Sequence, residues 1–248
     1  MEHARLPVLI TRAEPGASET AARVGALGGA PIVSPTLAFK SLDQSLSATA
    51  NTYAGLVFTS ANGVRAFAAV SDDRDLRAWC VGPATARAAR EHGFEQVRES
   101  SGNAIDLAHY IADDSRSETL PLLHVANAAA KGDLKAKLVD LGFSVEFAPL
   151  YEMVPADAFS AEALAAITED APALVLIHSA RGAQSFVRLC GERSVAHLTA
   201  VAISEPASRP LLPLELEALH ISRRPNEDGL MLALQSAIAT LSARTDTI

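Results

Sequence analysis

Residues 58–67 read FTSANGVRAF, and residues 177–186 read IHSARGAQSF. Each stretch has an apolar run, a Ser, a Gly three residues on and a Phe four beyond that, at a constant offset of 119. An apolar run that stops at Ser and passes into a helical period reads as a strand, a helix cap and a helix. After the first junction Val64, Phe67, Ala68 and Ser71 fall at i, i+3, i+4 and i+7, and after the second Ala183, Phe186, Val187 and Cys190 do the same. Both are core-facing stripes. The correspondence continues along the chain. WCVGPATARAA at 79–89 aligns with VAISEPASRPL at 201–211 at an offset of 122, and SGNAIDLA at 101–108 with NEDGLMLA at 226–233 at 125. Three junctions in the same order predict a duplicated architecture with small loop insertions.

The rest of the chain keeps this rhythm. Short apolar runs bounded by Gly, Pro, Ser or Asn predict strands at 8–11, 31–33, 56–59, 79–81, 96–98, 122–125, 145–147, 174–178, 200–203 and 220–222. Helical segments at 16–27, 83–92 and 133–141 each end at glycine. Strands alternating with helices predict α/β architecture with parallel sheets covered on both faces. Ten strands fit two smaller sheets better than one. SPTLAFKSLD at 34–43 and APLYEMVPAD at 148–157 break the rhythm, each with Pro and an extended apolar or aromatic run. They predict paired linkers over 35–43 and 148–157. One domain would then comprise 1–34 plus 158–248, and the other 44–147.

Composition narrows the function. The chain has 248 residues, 49% hydrophobic and 20% charged, enough to bury a core. Its formal charge of −8 argues against a nucleic-acid binder. No apolar run approaches the roughly 18–20 residues that span a bilayer. The opening MEHARLPVLITR has no signal-type pattern. Cys80 and Cys190, the two cysteines, have no metal-type spacing and suit a reducing cytoplasm. The seven His make no metal-type spacing with one another or with Cys or carboxylates, so no metal is expected. His178 and Ser179 are adjacent, but strand neighbours point to opposite faces and there is no G-x-S-x-G elbow. No dinucleotide or phosphate loop follows the first strand.

What remains is a set of helix N-termini at the carboxyl ends of strands. They are Thr11-Arg12, Ser60-Ala61-Asn62-Gly63, Gly82-Pro83-Ala84-Thr85, Ser179-Ala180-Arg181-Gly182 and Ser204-Glu205-Pro206. Such ends carry free backbone N–H groups and the positive end of the helix dipole. Each Ser, Gly or Asn there reads equally as a cap, and the two roles are compatible. Several such ends would suit a large ligand with many carboxylates, bound by an acidic protein without a Lys cluster.

On these residues the chain resembles the uroporphyrinogen-III synthase family over nearly its whole length. VLITRAEPGASETAARVGALGGAPIVSPTLAF resembles the family's opening; FTSANGV, VGPATARAAREHGF and LYEMVP resemble its later motifs, in order. The resemblance implies two flavodoxin-like, doubly wound parallel-sheet domains joined by a two-stranded extended linker. It implies closure of the linear tetrapyrrole hydroxymethylbilane, which carries eight carboxylates, to uroporphyrinogen III. The last ring is inverted, water is lost, and no cofactor or metal is needed. It marks Tyr151 as the candidate proton donor and Thr85 as a threonine beside the cleft. Tyr151 also reads as linker packing, and Thr85 as a first-turn hydroxyl. Thr11, Arg12, Ser60, Ala61, Asn62, Ser179, Ala180 and Ser204 are the expected substrate-binding positions. Two departures stand out: Ala207 lacks the hydroxyl the family carries, which Ser204 or Ser208 would replace, and Lys131 stands in for a missing Arg after the strand at 122–125. A cytoplasmic monomer is expected, with no nucleic-acid or membrane partner. The rival reading is a two-domain small-molecule binding or sensor protein with a hinged cleft.

Overall fold

The computed structural model describes residues 5–14, 16–42, 46, 52–115, 119–130 and 132–245. The chain begins β1 (Pro7–Ile10), α1 (Gly16–Ala26), β2 (Ala30–Val33), β3 (Leu37–Ser41), β4 (Gly55–Phe58), α2 (Ala61–Val70), β5 (Ala78–Val81), α3 (Gly82–Glu91) and β6 (Val97–Ser100). It continues α4 (Ala104–Asp114), β7 (Leu122–Asn127), α5 (Asp133–Asp140), β8 (Val145–Pro155), α6 (Ala161–Thr168) and β9 (Ala173–Ile177). Last come α7 (Ala180–Cys190), β10 (Leu198–Ala202), α8 (Glu205–Ser208), β11 (Ala218–Ile221) and α9 (Glu227–Thr245). Every apolar run named above becomes a strand that starts within two residues of its predicted position.

The chain divides into two units, Met1–Ala38 with Val154–Ile248, and Phe39–Met153. The first holds a five-stranded sheet in the order β2-β1-β9-β10-β11, parallel throughout. Counted along that unit's own chain this is the flavodoxin order 2-1-3-4-5. The second sheet runs β3-β8-β7-β4-β5-β6, parallel from β8 to β6. Without β3 its spatial order is the same as the first, with β8, β7, β4, β5 and β6 in the places of β2, β1, β9, β10 and β11. The two sheets are therefore one topology entered at different points of the chain. Registers agree: Phe58 pairs with Cys80 and Ile177 with Ala202, and these pair in turn with Glu99 and Ile221.

The third junction needs one correction. Asn103 caps α4 by accepting from the Ile105 and Asp106 N–H groups, and Asn226 accepts from Gly229 N–H at the start of α9. These residues are 123 apart, not 125. At that offset buried Leu107 matches Leu230 and buried Ile111 matches Leu234. The capping side chain aligns the helices, whatever the similarity of the letters around it.

The residues read as paired linkers form strands. β3 lies beside β8 at the edge of the six-stranded sheet. Leu42 N–H donates to Leu150 C=O, and Ala156 N–H to Thr36 C=O, an antiparallel register. The division into units falls inside both strands, at 38/39 and 153/154.

Period-2 alternation builds a core on each face of each sheet. Leu56 and Phe58 enter one cluster with Val64 and Phe67 of α2, while Val57 turns to Leu107 and Ile111 of α4. In the other unit Val175 and Ile177 meet Ala183 and Phe186 of α7, and Leu174 and Leu176 meet Leu230 and Leu234 of α9. Burying each such side chain contributes about 1.5–3 kcal/mol. No helix among the described residues is long and apolar enough to cross a membrane.

Candidate active site

Both repeat junctions form the same capped turn. Ser60 (φ −158°, ψ 155°) accepts from Gly63 N–H at 3.3 Å, and Ser179 (φ −161°, ψ 156°) from Gly182 N–H at 3.0 Å. Ser at the cap satisfies one of the first-turn N–H groups. Ala61 and Asn62, and likewise Ala180 and Arg181, fill the first two positions of their helices. The Asn62 side chain donates weakly to Met153 Sδ at 3.7 Å.

Tyr151 lies in the second unit. It is 4% exposed, its hydroxyl lies 2.7 Å from Ser60 Oγ, and its ring stacks on Phe39 at 5.3 Å. A β-bulge puts it there. Register shifts between Ala126 and Asn127, so that Asn127 pairs with Tyr151. Ala148, Leu150 and Tyr151 consequently all reach one core cluster, although strict alternation would turn Tyr151 away from Leu150. Burial pushes the Tyr151 pKa up, with hydrogen bonds from Ser60 and the Asn127 backbone pulling the other way. Tyr151 is therefore a protonated phenol at neutral pH, with an O–H to give.

Thr85, 4% exposed, is the fourth residue of α3. That helix starts on Gly82 at φ 71°, a left-handed conformation suited to glycine, and its first turn receives no side-chain cap. Pro83 has no N–H, which leaves those of Gly82, Ala84 and Thr85 at the helix start.

In the first unit two of the expected positions, Thr11 and Arg12, already have partners. The Thr11 hydroxyl donates to Leu176 C=O at 2.6 Å, and Thr11 C=O accepts from Thr36 N–H. That hydroxyl joins β1 to β9 and has no second proton to give. Arg12 Nη1 donates to Glu227 Oε2 at 2.9 Å, so its charge is matched inside the unit. Ser204 stands before a helix of only four residues, followed by a 3₁₀ turn at Arg209–Leu211, and makes no side-chain cap. Ser208 is buried, with its hydroxyl donating to Glu205 C=O at 2.9 Å. Neither serine caps with its side chain, but the Ser208 hydroxyl is spent on the Glu205 carbonyl, which leaves Ser204 as the better replacement for the hydroxyl missing at Ala207. Lys131 lies outside the described residues.

Sequence reasoning missed the group around Arg12. Glu227 Oε1 accepts from Thr20 Oγ1 at 2.7 Å, and His178 Nε2 stands 3.4 Å from Glu227 Oε2. Burial pushes the Glu227 pKa up, but the neighbouring His178, the Thr20 hydrogen bond and the Arg12 charge outweigh it and hold it at about 2. Burial drives His178 down, so its ring is neutral at neutral pH. Gly16 makes room for the arrangement, since a Cβ there would sit 2.2 Å from the Arg12 guanidinium carbon. No His, Cys, Asp and Glu among the described residues group as metal ligands.

Comparison with known proteins agrees with this architecture. The family model described as Uroporphyrinogen-III synthase HemD matches residues 18–231. The chain is similar to the crystal structure of uroporphyrinogen-III synthetase from Helicobacter pylori. Identity is 15%, with 94% of this chain and 100% of that one covered, at a TM-score of 0.64. It is also similar to a mutant uroporphyrinogen III synthase from the extremely thermophilic bacterium Thermus thermophilus. There identity is 16%, with 95% and 99% covered, at a TM-score of 0.48.

Proposed function

The chain belongs to the uroporphyrinogen-III synthase family, and from that premise we propose how its residues serve the reaction. It is a cyclising lyase of haem biosynthesis that converts hydroxymethylbilane to uroporphyrinogen III, with inversion of the last ring and loss of water. The observation that carries this is the family match over residues 18–231.

In our reading Tyr151 gives its phenolic proton to the departing hydroxyl, which leaves as water. The C–O bond breaks and an azafulvenium-like cation forms. The cation attacks the substituted carbon of the last ring, the spiro intermediate fragments and recloses with that ring inverted, and the proton lost as the ring regains aromaticity returns to the Tyr151 phenolate. The substrate supplies the electrophile, so no step runs through a metal or cofactor. Ser60 serves Tyr151 in one of two ways. If Ser60 donates to the phenol oxygen, the Tyr151 O–H is left to face the substrate; if Tyr151 donates, Ser60 holds its proton until the hydroxymethyl group competes for it. Either way the pair fixes the donor, and folding the substrate ahead of simple closure is a matter of positioning.

The eight carboxylates are assigned to backbone donors at helix starts. In one unit these are Ala61 and Asn62 of α2 with the uncapped first turn around Thr85. In the other they are Ser179 and Ala180 of α7, with Ser204 supplying the hydroxyl that Ala207 lacks. Thr11 and Arg12 enter differently from the sequence expectation, as residues that hold the loop after β1 in place. We also read the enzyme as a cytoplasmic monomer. Burial keeps Cys80 and Cys190 protonated, their pKa values raised to about 12, which suits thiols in a reducing compartment. Light scattering checks the mass.

The test of function is direct. The purified protein is incubated with freshly made hydroxymethylbilane, and the products are oxidised and separated by isomer. Predominant isomer III is expected; isomer I alone, as in spontaneous closure, would reject the reading.

A further inference from the structure

At the edge of the first unit, β11 and the early turns of α9 enclose a pocket of about 610 Å³. Its lining combines Arg223, Arg224 and His220 with Ile221, Leu232 and Ala233. None of these residues has a part in the function proposed above. Ile221 is 42% exposed and Leu232 62%, so the apolar side of the pocket is open to a ligand.

The charge of the pocket is unusual for this chain. The protein carries a formal −8, yet among the described residues neither Arg223 nor Arg224 has an acidic partner. The nearest acidic residues along the chain are engaged elsewhere: Glu227 with Arg12 and Thr20, and Asp228 with Arg23 at 2.7 Å. Both turn toward α1, which leaves two guanidinium groups unneutralised at the pocket. Guanidinium forks match carboxylate and phosphate oxygens geometrically, and unpaired cations draw anions from solution.

The loop bearing these arginines is held tightly. Ser222 is buried, donates to Arg224 C=O at 2.6 Å and accepts from Arg224 N–H at 3.3 Å. Asn226 N–H adds a second donor to Arg224 C=O at 2.8 Å. Gly229 lets that carbonyl sit against α9, because a Cβ there would meet it at 2.4 Å. A backbone held by these bonds leaves only the side chains to be ordered when a ligand binds.

The other unit provides an internal comparison. At the corresponding place, between β6 and α4, lies a hollow of about 420 Å³ lined by Glu99, Ser100, Asp106 and His109. Glu99 stands where the first unit has Ile221, by strand register. The shared topology thus makes a hollow at this junction in both units, while the apolar and cationic lining belongs to one. Its charge is a property of this sequence rather than of the fold.

We propose that the β11–α9 pocket is a binding site for an amphipathic anion, with at least two acidic oxygens on a flat apolar body. Arg223 and Arg224 hold the acidic oxygens, and Ile221, Leu232 and Ala233 contact the body. A carboxylated pyrrole of a tetrapyrrole and a free aromatic dicarboxylate share this chemistry.

Methyl NMR of the full chain tests the site. An aromatic ring seated there shifts the Ile221, Leu232 and Ala233 methyl resonances through its ring current. Two probes separate the sources: an octacarboxylate porphyrin and benzene-1,3-dicarboxylate. Shifts with the porphyrin alone support the site with a tetrapyrrole as occupant, and shifts with both support it with a free small anion. In Arg223→Ala/Arg224→Ala, affinity for the active probe should fall roughly tenfold or more, and Arg223→Lys/Arg224→Lys should recover part of it. Backbone resonances of the Ser222 loop report that each variant keeps its fold. Unmoved methyls at saturating concentrations of both probes, or unchanged affinity in the folded double-alanine variant, would overturn the proposal. The isomer assay reads cyclisation separately, so either idea can fail without the other.

Discussion

The Tyr151 hydroxyl lies 2.7 Å from Ser60 Oγ, where the returning strand β8 meets the cap of α2. Ser60 therefore serves two partners, since it also accepts from Gly63 N–H. Ser179 makes the equivalent cap at Gly182, which isolates the second role. Ser60→Ala and Ser179→Ala should each lose about 1 kcal/mol of stability as cap deletions. Ser60→Ala alone should also lower kcat several-fold, because it releases the Tyr151 hydroxyl. Equal kcat in the two variants, at matched melting temperature, would remove Ser60 from the mechanism.

The two repeat glycines differ in what surrounds them. A Cβ on Gly63 would stand 2.9 Å from Val125 C=O, a backbone atom of β7. On Gly182 it would meet Ser179 Oγ at 3.1 Å and Thr36 Oγ1 at 3.7 Å, both side-chain atoms. Gly63→Ala should cost about 1–3 kcal/mol through forced separation of helix and strand. Gly182→Ala should be nearly neutral, because the helix gain of alanine, about 1 kcal/mol, offsets a small adjustment. Denaturant titration of both variants checks the order.

Acid sensitivity should begin at mildly acidic pH. His124 is 2% exposed, neither ring nitrogen has a hydrogen-bond partner among the described residues, and burial with the Lys135 charge pushes its pKa down to about 4. A folded-state pKa below the unfolded value of about 6.5 means the unfolded chain takes up the proton first. Its contribution is fully present above pH 6.5 and is lost as pH falls toward 4. The loss by pH 5 is on the order of 2 kcal/mol. His178, shifted the same way chiefly by burial, adds to it. His124→Leu should flatten the stability profile between pH 7 and 5 without abolishing its slope. An unchanged profile would mean that His124 is solvated in solution.

Glu227 acts lower on the pH scale. Its pKa of about 2 is below the unfolded carboxylate value, so its stabilisation is present above about 4.5 and disappears as pH falls toward 2. At neutral pH Glu227→Gln leaves Arg12 without its counter-charge and should cost about 1–3 kcal/mol. Arg12→Met/Glu227→Leu, which removes both charges, should recover part of that loss. If the double variant is no better than Glu227→Gln, Arg12 and Glu227 are not coupled.

Legibility in the sequence followed the range of the interaction. The strands β4 and β9 are wholly buried runs ending in a capping Ser, and these local features were enough to place both repeats. The two-stranded character of the linker is legible from its extended runs, but its place on the edge of the six-stranded sheet is not, because four of the five residues of β3 are exposed and no alternation marks a buried face. The bulge that aims Tyr151 is a register event between strands, invisible in either strand alone. Arg12 and Glu227 are 215 residues apart, and nothing in TRAEPG or NEDG announces that they meet. The equivalence of β1 and β2 with β7 and β8 was also hidden. It lies in strand order, since VLITR and LLHVAN share only an apolar character.

The proton donor is the claim on which the mechanism turns, and Tyr151→Phe tests it most directly. The substitution keeps the ring stacked on Phe39 and removes only the hydroxyl facing Ser60. The measurement is the rate and isomer composition of product formed from hydroxymethylbilane, taken beside the melting temperature. The account predicts a fall in the rate of isomer III of about 10²-fold or more, in the usual range for losing a general acid, with spontaneous isomer I rising and the melting temperature nearly unchanged. Isomer III formed at the wild-type rate by a folded Tyr151→Phe variant would contradict it.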